Sequence, residues 1–316
     1  MTQRLVRILS ALVLILAACG PAASPVVATP SASALATATD LPRAFPVTIT
    51  DFQSRSVTLA ARPVRIVSIG PSNTEFLFAL GAGDRVVGVD DFSDTPAAAS
   101  KLEKVGGVKV NVEKVVSLRP DLVLTVKFSD GTIEKIAAAG VPVLVVDPVG
   151  LTDVTRTAIL LGKAVGEDGG KLAALIDLQL QVVKLSVAKA TAKPRVFHEV
   201  DASDPAKPFT VGPGSYIQDL IDLAGGTNIA ATAASAYPQI SLEEVLRADP
   251  EVIVLGDADY GTTPEQVAAR PGWSGISAVK NKRVFGISDS LVSRPGPRVA
   301  DAASAYAKLL HPELFR

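Results

Sequence analysis

One cysteine, Cys19, is all that 316 residues contain. A single thiol excludes an intrachain disulfide and any metal cluster held by several thiolates. Histidine is nearly as scarce: only His198 and His311 are present. That argues against a multi-histidine metal centre within one chain. Aromatic residues make up 5% of the sequence, so each tyrosine or phenylalanine near a ligand site carries weight. Neither sign of charge prevails, with 31 basic and 32 acidic residues and a formal net charge of -1. No basic cluster is present to attract nucleic-acid phosphates. No apolar run reaches the roughly 20 residues of a membrane-spanning helix. No cofactor and no metal site are expected.

What the chain does have begins at its start. Arg4 and Arg7 precede an apolar stretch, Ile8 to Ala18, that closes on Leu16-Ala17-Ala18-Cys19-Gly20. Positive charge, a short apolar core and small residues make a secretory signal. The Leu-Ala-Ala-Cys step resembles the bacterial lipobox, whose cysteine is acylated. That resemblance implies a signal peptide over 1–18, a mature chain beginning at Cys19, and an exported protein held at a membrane or in the periplasm by lipid. Loss of Arg4 and Arg7 leaves 29 basic against 32 acidic residues (31 − 2 = 29), a net charge of -3. Residues 19–44 are rich in Ala, Ser, Thr and Pro without hydrophobic period, and read as a flexible stalk.

From about Phe45 the pattern is that of a folded body, with 48% of the whole chain hydrophobic. Val47 to Asp51 and Ser56 to Leu59 alternate around a polar turn and predict a hairpin. Arg65 to Ile69, Val86 to Val89, Asp121 to Thr125 and Val141 to Val146 read as strands. Helical spacing between them implies parallel βαβ units over 45–150. Ser72-Asn73-Thr74-Glu75 has capping-box spacing at the head of the first helix. Residues 151–193 carry only helical spacing, and a helix near Gly169 to Ala192, about 36 Å long at roughly 1.5 Å per residue, predicts a strut. After Pro194 the alternation resumes, with strands at Arg195 to Val200, Glu251 to Leu255 and Arg283 to Ile287. Helices are expected at Ser215 to Leu223 and Val299 to Leu310. The fold class is therefore α/β: one lobe over 45–150 and another over 194–316, joined by a single long helix.

An internal repeat links the halves. Asn111-Val112-Glu113 leads to Pro120-Asp121, and Ser241-Leu242-Glu243 leads to Pro250-Glu251. The glutamate-to-proline step is the same (120 − 113 = 7; 250 − 243 = 7). Each glutamate sits in the first turn of a short helix, where a carboxylate favours the dipole by about 0.3–1 kcal/mol. Ser241 and Glu244 have capping-box spacing, which leaves Glu243 free to face outward. The matched pair also suits two carboxylates acting together.

These segments resemble the substrate-binding proteins of ABC importers for vitamin B12, ferric siderophores and haem. The likeness runs from about Phe45 to Leu310. It is carried by Arg65 to Glu75, Leu80 to Gly88, Val105-Gly106-Gly107, Gly212 to Ser215 with Leu223 to Asn228, and Pro238 to Glu243. The resemblance implies two α/β lobes linked by one long helix, with ligand held between them. It also implies that Glu113 and Glu243 dock on arginines of a membrane permease, which works with its ATPase.

For the ligand, the resemblance places Phe92 and Tyr237 in the cleft, where vitamin B12 binders have a tyrosine and a Trp-Pro-Gln step. Val108-Lys109 stands where those proteins have a further tryptophan, and puts Lys109 at the site. The loop Ser288 to Arg298 lacks their aromatic pair, but brings Arg294 and Arg298 within reach of anionic groups such as haem propionates or a ferric chelate. Cobalamin is the leading expectation, with ferric siderophore or haem as the alternative. Tyr260 is open to either ligand contact or surface packing.

An enzyme is not expected. Gly212-Pro213-Gly214-Ser215 lacks the lysine and spacing of a phosphate loop, and reads instead as a glycine turn with Ser215 capping a helix. No nucleophile elbow is present. His198 falls inside an alternating strand, as a structural residue would. Sensing rather than import is a second role open to such a surface protein.

Overall fold

The computed structural model describes residues 45–315. The signal segment, Cys19 and the stalk over 19–44 lie outside the described residues. Val47–Thr50 (β1) and Ser56–Leu59 (β2) pair antiparallel, with Val47 opposite Leu59. The chain then builds a parallel sheet from Ile66–Ile69 (β3), Val86–Val89 (β4), Glu103–Lys104 (β5), Leu122–Thr125 (β6) and Val143–Val145 (β7). Their order is β5-β4-β3-β6-β7. Helices Pro71–Ala79 (α1), Val112–Ser117 (α2) and Thr132–Ala138 (α3) alternate with these strands.

Two helices follow, Leu151–Val165 (α4) and Gly169–Val187 (α5). Gly166 ends α4 in the left-handed region (φ 72°), and the Asp168 side chain caps α5 by accepting the Lys171 N–H at 3.0 Å. The second sheet comprises Arg195–Asp201 (β8), Phe209–Thr210 (β9), Thr227–Asn228 (β10), Val252–Leu255 (β11) and Val284–Gly286 (β12). Strands β10-β8-β11-β12 run parallel in that order, and β9 lies antiparallel against the end of β8. Its helices are Tyr216–Leu223 (α6), Leu242–Ala248 (α7), Pro264–Ala268 (α8), Ser277–Lys280 (α9), Asp289–Val292 (α10) and Val299–Leu310 (α11).

No strand pairing joins the two sheets. Strands β3, β6, β7 and β11 are buried on both faces, as central apolar parallel strands require. The two faces serve different cores. Ile66, Leu122, Val252 and Val254 point into one cluster that runs through Leu161 and Ile176 to Tyr306, so it spans both lobes and the linking helices. Val67 and Val123 point into a separate cluster on the outer face of the first sheet. Phe197 and Ile253 do the same on the second, against Trp273.

The link departs from the sequence expectation in one respect. The helix beginning at Gly169 stops at Val187 and is 19 residues long, about 28 Å at roughly 1.5 Å per residue. It is not a lone strut. Ala173, Ile176, Leu180, Val183 and Val187 form its buried face, and the long strut is replaced by a folded-back pair with α4. Pro194 restricts the residue before it, so the helix cannot run into β8.

A second departure concerns Ser72 and Glu75. Helix α1 starts at Pro71 with Gly70 as N-cap (φ 119°) and no side-chain cap. Proline is suited to the first helical position because its missing N–H has no helical partner there. That shift puts Ser72 inside the helix, so the expected capping box does not form. Glu75 is 4% exposed and turns toward the other lobe.

The repeat extends beyond the glutamates. Arg65 donates from Nε to the carbonyls of Leu118 (3.1 Å) and Arg119 (3.2 Å), and its own N–H goes to Asp121. Arg195 donates from Nε to Ala248 (2.9 Å) and Asp249 (3.0 Å), and its N–H goes to Glu251. Every partner is displaced by one offset (195 − 65 = 130; 249 − 119 = 130; 251 − 121 = 130). Each arginine thus seals the last carbonyls of the helix that carries the glutamate.

The α4–α5 crossing is a point of close backbone approach. A Cβ on Gly169 would collide with the carbonyl of Ala158, and one on Gly162 with the backbone of Gly169. Backbone cannot swing aside as a side-chain tip can. Gly169→Ala should therefore cost about 1–3 kcal/mol. Thermal unfolding should show it as a melting point lower by several degrees, at roughly 2–4 °C per kcal/mol; an unchanged melting point would mean the crossing opens freely.

Candidate ligand-binding cleft

Loops at the carboxyl ends of parallel strands form the crevices of open α/β sheets. Here loops of both sheets line one cavity of about 470 Å³, within the usual range for small-molecule sites. The first lobe supplies Pro71 after β3, Phe92 after β4, Val126 after β6 and Asp147 after β7. The second supplies Tyr237 before α7, Tyr260 after β11, Arg294 after β12 and Tyr216 at the head of α6. Cavities of about 430 and 410 Å³ also occur, but one draws only on the second lobe beside α7 and the other on β1 and α4.

Phe92, Tyr237 and Arg294, all expected at a ligand, are brought together in the cleft. Phe92 and Tyr237 belong to different lobes and are each about half exposed, at 53% and 54%. Tyr260, left open from sequence, also lines the cavity. Its hydroxyl donates to Asp289 at 3.1 Å, and that carboxylate raises the phenol's pKa. Lys109 is not among the lining residues. It is exposed on the turn bridged by Gly106 and Val110, which folds against Phe92 at Gly107.

Both arginines are engaged in ion pairs rather than free for an anion. Arg298 donates to both oxygens of Glu75, at 2.8 and 2.7 Å, and to the Ser290 carbonyl at 2.8 Å. The Glu75 hydrogen bond, working against desolvation, raises the Arg298 pKa. Arg294 donates to Asp94 at 2.6 Å and to the Phe92 carbonyl at 3.2 Å. That bond holds Asp94 below the usual carboxylate range. Glu75, Phe92 and Asp94 belong to the first lobe and both arginines to the second, so these bonds tie the lobes together. The reason is geometric: the guanidinium fork matches a carboxylate already facing it across a narrow gap.

Sequence reasoning missed Tyr216, Asp147, Asp289 and the pairing role of Glu75. Burial pushes the Asp147 carboxyl up. No group of histidine, cysteine and carboxylate side chains suited to a metal ion occurs among the described residues. Glu113 and Glu243 are both exposed, in the first turns of α2 and α7. Asn111 caps α2, and Ser241 with Glu244 makes the capping box on α7. Neither glutamate is therefore needed for its own cap. Helices between parallel strands run back against the sheet, so their N-termini lie at the strands' carboxyl edge. The two glutamates thus sit on the edge that carries the cleft.

The model of a family described as periplasmic binding protein matches residues 66–291. The chain belongs to the periplasmic binding protein family. It is 36% identical over 282 residues to an ABC transporter substrate-binding lipoprotein of Bacillus subtilis, covering 86% of this chain and 88% of that one. It is 30% identical over 267 residues to a vitamin B12-binding protein of Vibrio cholerae, covering 80% of this chain and 92% of that one. Among solved structures, the vitamin B12-binding protein of Vibrio cholerae superposes with a TM-score of 0.67 at 27% identity, covering 80% of this chain and 99% of that one. A periplasmic haem-binding protein of Roseiflexus sp. RS-1 gives 0.72 at 26% identity, covering 79% and 98%. No helix among the described residues is long and apolar enough to cross a membrane.

In this periplasmic binding protein His198 belongs to the core of the second lobe. It is 1% exposed, shares a 2.8 Å hydrogen bond through Nδ1 with the Tyr306 hydroxyl, and burial pushes its pKa down to about 3. The unfolded chain takes up a proton below about pH 6.5, which the folded ring refuses until about pH 3. The contribution of His198 to stability is thus complete above pH 6.5 and falls as pH drops from there toward 3. NMR titration should show a His198 ring whose shifts do not move between pH 7.5 and about 4; a midpoint near 6.5 would show that the site is wet.

Proposed function

We propose that this protein is the substrate-binding component of an ABC importer, exported and anchored by lipid at Cys19, that captures cobalamin in its cleft and delivers it to a permease. Family membership supports the transport role, and relatives named for vitamin B12 support the ligand. The observation that carries the choice is electrostatic. Arg294 is the single cation among the described residues lining the cavity, and it is already paired with Asp94. Asp147 and Asp289 line it as well. Such a cleft suits a large, nearly neutral ligand flanked by aromatic rings better than one bearing several carboxylates. Wide aromatic faces give apolar contact at low entropy cost.

A second reading, haem or a ferric siderophore, draws on Tyr260. Its phenol is 79% exposed at the cleft, and tyrosine can ligate haem iron. Calorimetry with cyanocobalamin, haemin and a ferric siderophore separates the two. Micromolar or tighter binding of cyanocobalamin supports the first; millimolar cobalamin binding beside micromolar haemin or ferric siderophore moves the assignment to iron.

Tyr237→Ala should weaken cobalamin binding by about 1–3 kcal/mol, the scale of a lost buried aromatic contact. Loss of binding energy below about 0.5 kcal/mol would remove Tyr237 from the ligand wall. Docking is tested separately. Glu113→Lys combined with Glu243→Lys should abolish cellular uptake while leaving the solution affinity for cyanocobalamin unchanged, because the contact is with the permease.

A further inference from the structure

Helix α5 carries two apolar faces. One is buried in the core shared by both lobes. On the other, Leu175, Leu178, Val182 and Leu185 are 50%, 62%, 57% and 69% exposed. At about 3.6 residues per turn these four fall within roughly 80° of one another around the axis. Apolar side chains scattered singly over a surface need no explanation, but a continuous stripe of a few hundred Å² marks an interaction site. Exposed lysines bracket the stripe, Lys171 four residues before Leu175 and Lys189 four after Leu185 (175 − 171 = 4; 189 − 185 = 4). The acidic groups nearby are turned aside. Asp177, the one acidic residue of the helix, lies about 120° round the axis from the stripe, and Lys184 shares that flank. Asp168 caps the helix by accepting the Lys171 N–H.

A second copy of the chain does not fit this stripe. Antiparallel pairing that sets Leu175 against Leu185 also sets Lys171 against Lys189 (175 + 185 = 360; 171 + 189 = 360), and parallel pairing sets each lysine against itself. Like charges facing each other oppose association. The apolar area is also well short of the about 800 Å² per partner that a stable complex buries. A lipid surface meets neither objection. A helix with an apolar stripe and lysines lies in the plane of a bilayer interface, its lysine stems along the acyl boundary and their ammonium groups at the lipid phosphates. The start of the folded body brings such a surface near. The Phe45 ring lies against Gly166, three residues before α5 begins (169 − 166 = 3). The 26 residues from Cys19 to Ala44 (44 − 18 = 26) span at most about 90 Å when fully extended, so a bilayer holding Cys19 stays within that distance of Phe45. Tethering at such range turns a weak contact into an intramolecular one. We propose that the outer face of α5 is a membrane-surface contact, with Leu175, Leu178, Val182 and Leu185 seated among the lipids and Lys171 and Lys189 at anionic headgroups. This rests on the lipid anchor at Cys19.

The test uses the acylated chain in vesicles. Cys19 holds the only native thiol, so Leu178→Cys adds a single site for an environment-sensitive fluorophore, and Lys207→Cys in the second lobe serves as an exposed control. In vesicles of phosphatidylcholine with phosphatidylglycerol, the label at position 178 should shift its emission to the blue and be quenched by lipids carrying a nitroxide on the acyl chain. The label at position 207 should do neither. The effect should weaken in phosphatidylcholine alone, where the lysines lose their anionic partners. Leu175→Gln combined with Leu185→Gln should abolish the quenching and leave the melting temperature unchanged, since both side chains are half exposed or more. An unquenched label at position 178, on a chain whose mass shows the acyl group, would overturn this inference and leave the lipid anchor intact. A blue shift that rises with protein density and resists lipid quenching would overturn it in favour of a second copy. A lower melting temperature of the double variant would mean that the stripe is packed within the protein, which also overturns it. A mature chain whose mass lacks the acyl group would remove the anchor reading and this inference together.

Discussion

Glu75 and Arg298 meet between the lobes with the carboxylate almost wholly out of water, its side chain 3% exposed against 30% for the arginine. Two charges drawn from solvent at that cost stay only if their geometry is good and their remaining bonds are made. Both conditions hold: the contact is bidentate, and Arg298 also reaches the Ser290 carbonyl. Removing one partner of such a pair leaves a buried charge, a loss of about 3–5 kcal/mol. The pair therefore sets how the middle of α1 and the start of α11 face each other. Arg294 then falls beside Asp94 and the Phe92 carbonyl. One electrostatic constraint thus fixes the spacing of the cleft and also neutralises the charges that sequence reading had assigned to a ligand.

The covalent link reinforces that spacing. A lone helix between lobes would permit bending about its ends. Here α4 folds back on α5, their backbones meet at Gly162 and Gly169, and one continuous apolar cluster runs through both lobes and both helices. Interiors packed to crystal-like density transmit strain and do not deform smoothly. The offset of 130 residues (195 − 65 = 130) between matching arginine clamps adds a second level of order. In each lobe the clamp fixes the short helix whose first turn presents a glutamate, so the two exposed carboxylates inherit their placement from the same local design.

Much of this was legible from local pattern. The β-branched runs at Ile66, Val123 and Val252, the glycine stop at Gly166 and the caps at Asn111, Ser215 and Ser241 act over a few residues, and all are present in the structure. Phe92 and Tyr237 were legible through the resemblance of their neighbourhoods. The reading failed where local and tertiary demands compete. Ser72 and Glu75 satisfy the capping rule, but Pro71 and Gly70 move the helix start, and a partner 223 residues away claims the carboxylate (298 − 75 = 223). Short strands such as β5, β9 and β10 carry too few residues for a periodic signal.

The sequence by itself determined the two α/β halves, the helical segment between them and the paired glutamates, because strand runs, caps and spacings are interactions between near neighbours. Only the tertiary structure decided which charges remain free. Arg294 and Arg298 look available to an anion in the chain, and Tyr216 looks like an ordinary helix residue. Folding reverses both impressions by pairing the arginines across the lobes and burying the Tyr216 hydroxyl without a partner. The reason is that ion pairing and hydrogen-bond satisfaction depend on distances between residues far apart in sequence, which no local pattern encodes.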